Sequence, residues 1–206
     1  MLVVRYSKSG GAEFISHLDT LRHLQKTIIR AKIPVGYSKG FNPHMLLFMS
    51  SPIWAGLISY AEYFYLETET GAEEFKEKFN ACCPRGFRCE SAVEVDKNPN
   101  LAAVIDGAEF EVEDVPPFEV REILSSSEFF INDKKGERKN VRDKIFDLRF
   151  SEGRLFCRLA AGNAPLRTDL FVAELENKYG FTAGDVIKKE AFVKGVTVEE
   201  AIAKKQ

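Results

Sequence analysis

The chain opens on LVVRYSK, where apolar and polar positions alternate among β-forming residues, so residues 2–7 predict a strand. SGGAEF breaks that pattern as a loop. From residue 17 the period changes: Leu18, Leu21, Leu24, Ile28 and Ala31 recur at helical spacing and predict a helix over 17–32. Ser16 stands at its N-cap position with Asp19 three residues on, the spacing of a capping box. Pro34 stops it. MLLFMSSP predicts a second strand. SYAEYFYLETE predicts a third, with Tyr60, Glu62, Phe64 and Leu66 alternating against Tyr63, Tyr65 and Glu67. GAEEFKEKFNACC reads as a helix with Phe75, Phe79 and Cys82/Cys83 on one side, and FRCESAVEVD as a fourth strand. The order β-α-β-β-α-β is the split βαβ, ferredoxin-like plan.

KNPNL, residues 97–101, reads as a linker, and after it the plan recurs. AEFEVED is a strand, and PPFEVREILSSS starts a helix with proline in its first turn. INDKKGERKNVRDK is a charged hairpin or loop, and IFDLRFSEGRLFCRLAA is a hairpin turning at Ser151–Gly153. APLRTDLFVAELENKYG is a helix closed by Gly180, and DVIKKEAFV is a last strand before a short helical or frayed tail, TVEEAIAKKQ. The expected fold is α+β, with two ferredoxin-like domains packed together and the second looser. The first, residues 1–97, carries the binding patch; the second is an α+β domain over 102–206.

Composition narrows the picture. The 206 residues, 45% of them hydrophobic, suffice for one domain or two small ones. No apolar run approaches the roughly 18 residues of a membrane span, and the N-terminus has no signal-peptide pattern, so a cytoplasmic protein without a membrane partner is expected. Cys82, Cys83, Cys89 and Cys157 lack the paired spacing of a zinc ribbon and read as free thiols. Net charge is only −2, but it is unevenly spread. Residues 1–44 hold seven Lys or Arg and two acids, +5, whereas the remainder holds 22 basic and 29 acidic residues, −7. His17, His23 and His44 all fall in the positive segment, which reads as an anion site on an acidic body.

The stretch YSKGFNPH, residues 37–44, concentrates the candidate chemistry. Lys39 can meet a phosphate, Tyr37 or Phe41 can stack on a base, and Asn42 and His44 offer donors and acceptors to base edges or a ribose. The same stretch also reads as turn chemistry around Gly40 and Pro43, with Phe41 in the core. Asp19 lies one helical turn from Arg22 and His23, either as a solvated salt-linked face or as an acid orienting an imidazole. Candidates for acid/base work are His17, Asp19 and His44. No metal-ligand spacing, nucleophile elbow, Walker loop or dinucleotide fingerprint occurs, so no metal and no cofactor are expected. His17, Asp19, Arg22, Lys39, Asn42 and His44 are expected to converge in one cleft, which requires the 36–44 loop to run back along the helix.

FISHLDTLRHL, RAKIP, YSKGFNPH and the P-x-x-A-G-x-x-S-x-A-E-Y spacing around Pro52 to Tyr63, in this order, resemble the radical SAM-linked domain family. That family is one of unknown function; it stands alone or is fused behind cobalamin-binding radical SAM enzymes. The resemblance is close over the first 65 residues and carries over Arg5, Lys8, Ser16, His17, Leu18, Asp19, Arg22, Arg30, Pro34, Tyr37, Ser38, Gly40, Phe41, Asn42, Pro43, His44 and Glu62. Met45 stands where the family commonly has proline. NVRD and PLRTD only approximate its later patterns, leaving Arg142 and Arg167 without a firm counterpart. The chain lacks the C-x-x-x-C-x-x-C motif that holds the radical SAM cluster. The resemblance implies a radical SAM enzyme, cobalamin-dependent in the fused forms, as partner. The expected function is an accessory protein binding tRNA or rRNA for a modification enzyme, without catalytic activity of its own. Its RNA- or anion-binding set is Arg5, Lys8, Arg22, Arg30, Tyr37, Lys39, Phe41, Asn42 and His44. The alternatives are an enzyme acting on RNA or a nucleotide through a histidine acid/base, and a protein-binding adaptor.

Overall fold

In the computed structural model, which describes residues 1–204, strand β1 (Leu2–Lys8) lies between β4 (Phe87–Glu94) and β3 (Ile58–Leu66), antiparallel to both. The connections are α1 (His17–Arg30) and β2 (Leu47–Met49) before β3, then α2 (Ala72–Cys82) before β4. The later elements are α3 (Leu101–Val104), β5 (Gly107–Val112), α4 (Val120–Ser125), β6 (Phe130–Asn132), β7 (Arg138–Asn140), β8 (Ile145–Ser151), β9 (Arg154–Ala160), α5 (Thr168–Tyr179), β10 (Val186–Val193), β11 (Val196–Thr197) and α6 (Val198–Ala203). The result is a mixed α+β fold on one large, mostly antiparallel sheet, ordered β4-β1-β3-β10-β5-β9-β8, with β2 on β3 and β11 on β10.

The seam between the two halves is the edge of β3. That edge is divided lengthwise: β2 pairs with Phe64–Leu66, while β10 runs parallel to β3 at Ile58 and Ser59. Ion pairs cross the seam. Lys188 of β10 reaches Glu62 of β3 at 2.8 Å, with side chains only 8% and 4% exposed, and the Ser59 hydroxyl donates to the same Glu62 oxygen at 2.8 Å. Arg5 of β1 donates to Glu190 at 3.0 Å, to Glu199 at 3.4 Å and to the Lys189 carbonyl at 2.9 Å.

Both faces of the first half are covered. Leu2, Val4, Tyr6, Phe64 and Leu66 pack beneath Leu24 and Ile28 of α1 and Phe75 and Phe79 of α2. On the opposite face Val3, Ala61, Tyr63 and Tyr65 meet Leu101 of α3 and Val198 and Ile202 of α6. A third cluster joins Phe110, Val112, Leu155 and Leu159 to Ile123 of α4 and Phe171 and Leu175 of α5.

Several local expectations are revised. Residue 101, read as the end of a linker, begins α3; the tail, read as a short helix or frayed, takes the helical form as α6 with a full Thr197/Glu200 capping box, its last two residues lying outside the described ones. Pro116 and Pro117 precede α4 rather than opening it: Glu119 is the N-cap and accepts from the Arg121 N–H, leaving the prolines in the approach. β2 is three residues long and pairs only with Phe64–Leu66 of β3. Leu18 is exposed, while Thr20 and Thr27 take buried positions on α1. The Thr27 hydroxyl donates to the His23 carbonyl at 2.8 Å, so that burial leaves its proton satisfied.

Lys188→Met is expected to lower the free energy of unfolding by about 3 kcal/mol, the lower end of the roughly 3–5 kcal/mol for breaking one side of a buried pair. The lower end applies because Lys8 also faces the orphaned Glu62. Urea unfolding measures the loss. A loss within about 0.5 kcal/mol, the range of surface substitutions, would contradict the buried character of the pair.

Candidate functional site

The start of α1 is built around Ser16. Its hydroxyl oxygen accepts from the Asp19 N–H at 3.2 Å, and its proton is donated to the Asp19 carboxylate at 2.8 Å. Arg22 pairs with the other Asp19 oxygen at 2.8 Å. The Ser16 hydrogen bond, then Arg22, hold the exposed Asp19 carboxyl below the usual carboxylate range. Ser16 is thus the helix cap, and the Asp19 carboxylate holds the Ser16 hydroxyl and pairs with Arg22 on the surface. His23 lies instead against Phe87, ring centroids 5.8 Å apart and 25° from parallel. His17 is half-buried at the first helical position.

The 37–44 stretch forms a tight hairpin. Gly36 donates to the Glu67 carbonyl and Leu46 donates back to the Gly36 carbonyl, while Tyr37 and Met45 pair. Ser38 N–H donates to the His44 carbonyl at 2.8 Å, and His44 N–H to the Ser38 hydroxyl at 2.9 Å. Gly40 takes φ +131 at the tip, a conformation that L side chains rarely adopt. Phe41, read from the sequence either as a ring for stacking or as a core residue, is fully exposed, and Tyr37 is half exposed. Lys39, Asn42, Pro43 and His44 are exposed with it.

The expected single cleft does not form. Helix α1 starts beside the end of β1, where the Lys8 ammonium donates to the Ile15 carbonyl at 2.6 Å and Lys8 pairs with Ser59 in the sheet. The hairpin is rooted at Glu67, beyond the other end of β3. Eight residue steps along the strand, from Ser59 to Glu67, separate the two anchors, about 27 Å at roughly 3.4 Å per step. Among the described residues no hydrogen bond, ion pair or ring contact joins 37–44 to 16–23. The hairpin follows the other end of α1 in the chain, where Arg30 donates to the Cys82 carbonyl of α2 at 2.9 Å and stays exposed.

Arg5 and Lys8 are placed apart from the rest of the expected set. Four acceptors of the protein occupy the Arg5 guanidinium: the Tyr60 and Lys189 carbonyls, Glu190 and Glu199. Lys8 is buried; desolvation lowers its pKa, partly offset by Glu62 and Glu13. The basic residues left on the outer surface of α1 and the hairpin are Arg22, Lys26, Arg30, Lys32 and Lys39. The four cysteines are free. Burial pushes the Cys89 thiol up to about 12 and raises that of Cys157, so neither supplies a thiolate near neutral pH. Among the described residues no three of His, Cys, Asp or Glu gather as metal ligands, and no helix is long and apolar enough to cross a membrane.

A cavity of about 310 Å³ opens at the seam, which the sequence did not mark. Ser50, Ile53 and Trp54 follow β2 into one wall, Phe110 of β5 forms another, Arg167 lies before α5, and Lys188 comes from β10. Trp54 stacks on Phe110 with centroids 6.2 Å apart, and the Arg167 guanidinium lies 5.8 Å over its ring. Arg167 is itself paired with Asp169. Trp54 is the chain's single tryptophan, a composition signal available from the start. Lys188 had none: nothing in VIKKEAFV separates it from Lys189 until the neighbouring strand is known.

The model of a bacterial family described as "Uncharacterized protein conserved in bacteria (DUF2344)" matches residues 1–170. The chain belongs to the DUF2344 family. The match takes in the α1 start, the hairpin and the Trp54 segment, and ends inside α5. No curated protein matches this DUF2344 chain. A crystal structure of an unknown protein from Galdieria sulphuraria aligns with 91% of the chain and 96% of its own, at 14% identity and a TM-score of 0.30.

Because the Phe41 ring lies wholly in solvent, Phe41→Ala is expected to change stability by no more than about 0.5 kcal/mol. Phe79→Ala, from the core, should cost about 3–5 kcal/mol. Thermal melts of the two variants beside the wild type make the comparison; a Phe41→Ala loss of core size would place that ring in the fold.

Proposed function

We propose that this DUF2344 protein is an RNA-binding module, without catalysis of its own, serving an RNA-modification enzyme of the radical SAM class. The observation that carries the reading is the exposed hairpin. It holds Phe41 and Tyr37 out in water beside Lys39, at the end of a helix whose solvent side carries Arg22, Lys26 and Arg30. Exposed aromatics next to cations suit single-stranded RNA, whose bases stack on the rings while the phosphates meet the charges. The bonds across the hairpin keep Tyr37 paired with Met45 and Ser38 with His44, so little ordering is left to occur on binding. The RNA site in this reading is Arg22, Arg30, Tyr37, Lys39, Phe41, Asn42 and His44. Arg5 and Lys8 support the fold beneath it.

We read the two halves as two copies of the ferredoxin-like plan, the second carrying the β6–β7 hairpin as an insertion. Matching strand orders support this: β4-β1-β3-β2 in the first half and β10-β5-β9-β8 in the second. RNA-processing proteins use paired modules of this plan, an analogy of fold alone. The radical SAM partner rests on the order of the S-H-L-D and G-F-N-P-H motifs in the sequence.

Titration of labelled single-stranded RNA at several salt concentrations tests the reading. Three phosphate contacts predict a slope of log affinity against log salt near −2, at about −0.7 per contact. Lys39→Ala should flatten it by about one contact's share. Tyr37→Ala or Phe41→Ala should weaken binding by about 1–3 kcal/mol at every salt concentration. Absence of binding at low salt removes the RNA reading in favour of a protein-binding adaptor.

A further inference from the structure

We propose that the seam cavity is a nucleobase pocket, taking a keto base with guanine preferred. Size, lining and charge each narrow the occupant. At about 310 Å³ the cavity is at the small end of ligand sites, roughly 300–1,000 Å³, and excludes a peptide segment or a duplex. Ile53, Trp54, Phe110 and Leu166 give it apolar and aromatic walls suited to a flat ring. Its two cations are already matched by carboxylates, Lys188 by Glu62 and Arg167 by Asp169. The pocket therefore presents hydrogen-bond donors without surplus positive charge, which disfavours a free phosphate or a carboxylate and favours a neutral ligand with acceptors on its edge.

Lys188 supplies the selectivity. An ammonium has three N–H donors, and the recorded hydrogen bond uses one of them, on Glu62. The remaining donors suit the paired O6 and N7 acceptors of guanine, which lysine reads in nucleic acids. Adenine offers N7 beside an amino donor, which would oppose an ammonium. The nearby Ser50 hydroxyl can donate or accept as the base requires.

The ligand has two sources with one chemistry: a free nucleoside, or a nucleotide extruded from RNA. For the free nucleoside the inference goes beyond the hairpin surface; for the extruded nucleotide it rests on the RNA reading. Trp54 in the wall provides the readout. Tryptophan fluorescence of the full chain is titrated with guanosine, uridine, adenosine, cytidine, inorganic phosphate and a guanine-containing single-stranded RNA. Ala160→Leu, which adds bulk to the cavity wall, is titrated in parallel; if it melts early, Ala161→Leu narrows the same cavity from the adjoining loop. Lys39→Ala separates surface binding from pocket binding in the RNA arm.

Saturable quenching by guanosine, at least tenfold tighter than by adenosine and lost in the filled variant, is the expected result. Quenching by RNA alone, lost in the filled variant while RNA affinity by anisotropy persists, supports the extruded source. The proposal is overturned if neither nucleosides nor RNA give a signal sensitive to Ala160→Leu, if adenosine equals guanosine, or if inorganic phosphate competes. Loss of RNA affinity in Lys39→Ala with guanosine quenching intact leaves the pocket standing and bears on the surface alone.

Discussion

The pairing of β3 with β10 is the constraint on which the rest of the molecule depends. Its backbone component is slight, two register pairs at Ile58/Ile187 and Ser59/Lys188. So short a parallel ladder does little on its own to fix the register of two half-sheets. Side chains supply what the ladder lacks: Lys188 on Glu62 inside the seam, and Arg5 on Glu190 and Glu199 toward its flank. Taking Lys188 and Glu62 out of water costs several kcal/mol per ion, so their attraction contributes modest net stability. A slip by one residue would carry Lys188 to the other face and strand both charges. We infer that the pair acts chiefly on register, which the unfolding of Lys188→Met beside a Lys188→Met/Glu62→Leu double variant would separate from simple stabilisation: recovery of stability together with native spectroscopic order in the double variant would refute it.

That register decides where the chain ends can go. With β10 beside β3, the short turn into β11 and α6 brings Val198 and Ile202 back onto Val3, Tyr63 and Tyr65 of the first half. α3 closes the same cluster from the segment between the halves. Glu190 accepts from the Tyr63 hydroxyl at 3.1 Å and pairs with Arg5, so the polar rim of that cluster is held by the strand that sets the seam. Burial and the neighbouring Glu190 carboxylate push the Tyr63 hydroxyl well above its ordinary pKa. Thus the tyrosine is a neutral donor to Glu190 near neutral pH.

Much of this was legible in the sequence, and the exceptions have physical causes. Alternation placed β1, β3 and β4, and the Ser16, Pro34 and Gly180 signals bounded α1 and α5 to within a few residues. What periodicity could not see was which faces have a second layer. LAAV and VEEAIA are too short for a helical period to stand out, and their apolar residues acquire meaning only against Tyr63 and Tyr65. Phe41 shows the opposite difficulty. An aromatic beside Gly and Pro reads equally as core or as display, and the closed hairpin below it decides for display. The seam cavity draws on four distant stretches of chain, so no local motif could announce it.

Charge counting illustrates how structure reweights a sequence signal. The N-terminal segment is +5 by composition, but two of its seven cations, Arg5 and Lys8, are used inside the fold. Glu13, one of its two acids, is buried as well and accepts from the Gly11 N–H at 2.8 Å. The exposed set is then Arg22, Lys26, Arg30, Lys32 and Lys39 against Asp19, or +4, so the patch keeps most of its charge on a smaller surface. Glu67 and Glu69 stand exposed just past β3, beside the hairpin root. At about 8 Å of screening length in physiological salt, those acids repel phosphates near the root and scarcely affect them a helix-length away. On the RNA reading proposed above, a polyanion would therefore follow the outer side of α1 and the hairpin tip, where Phe41 stands, rather than the end of the sheet.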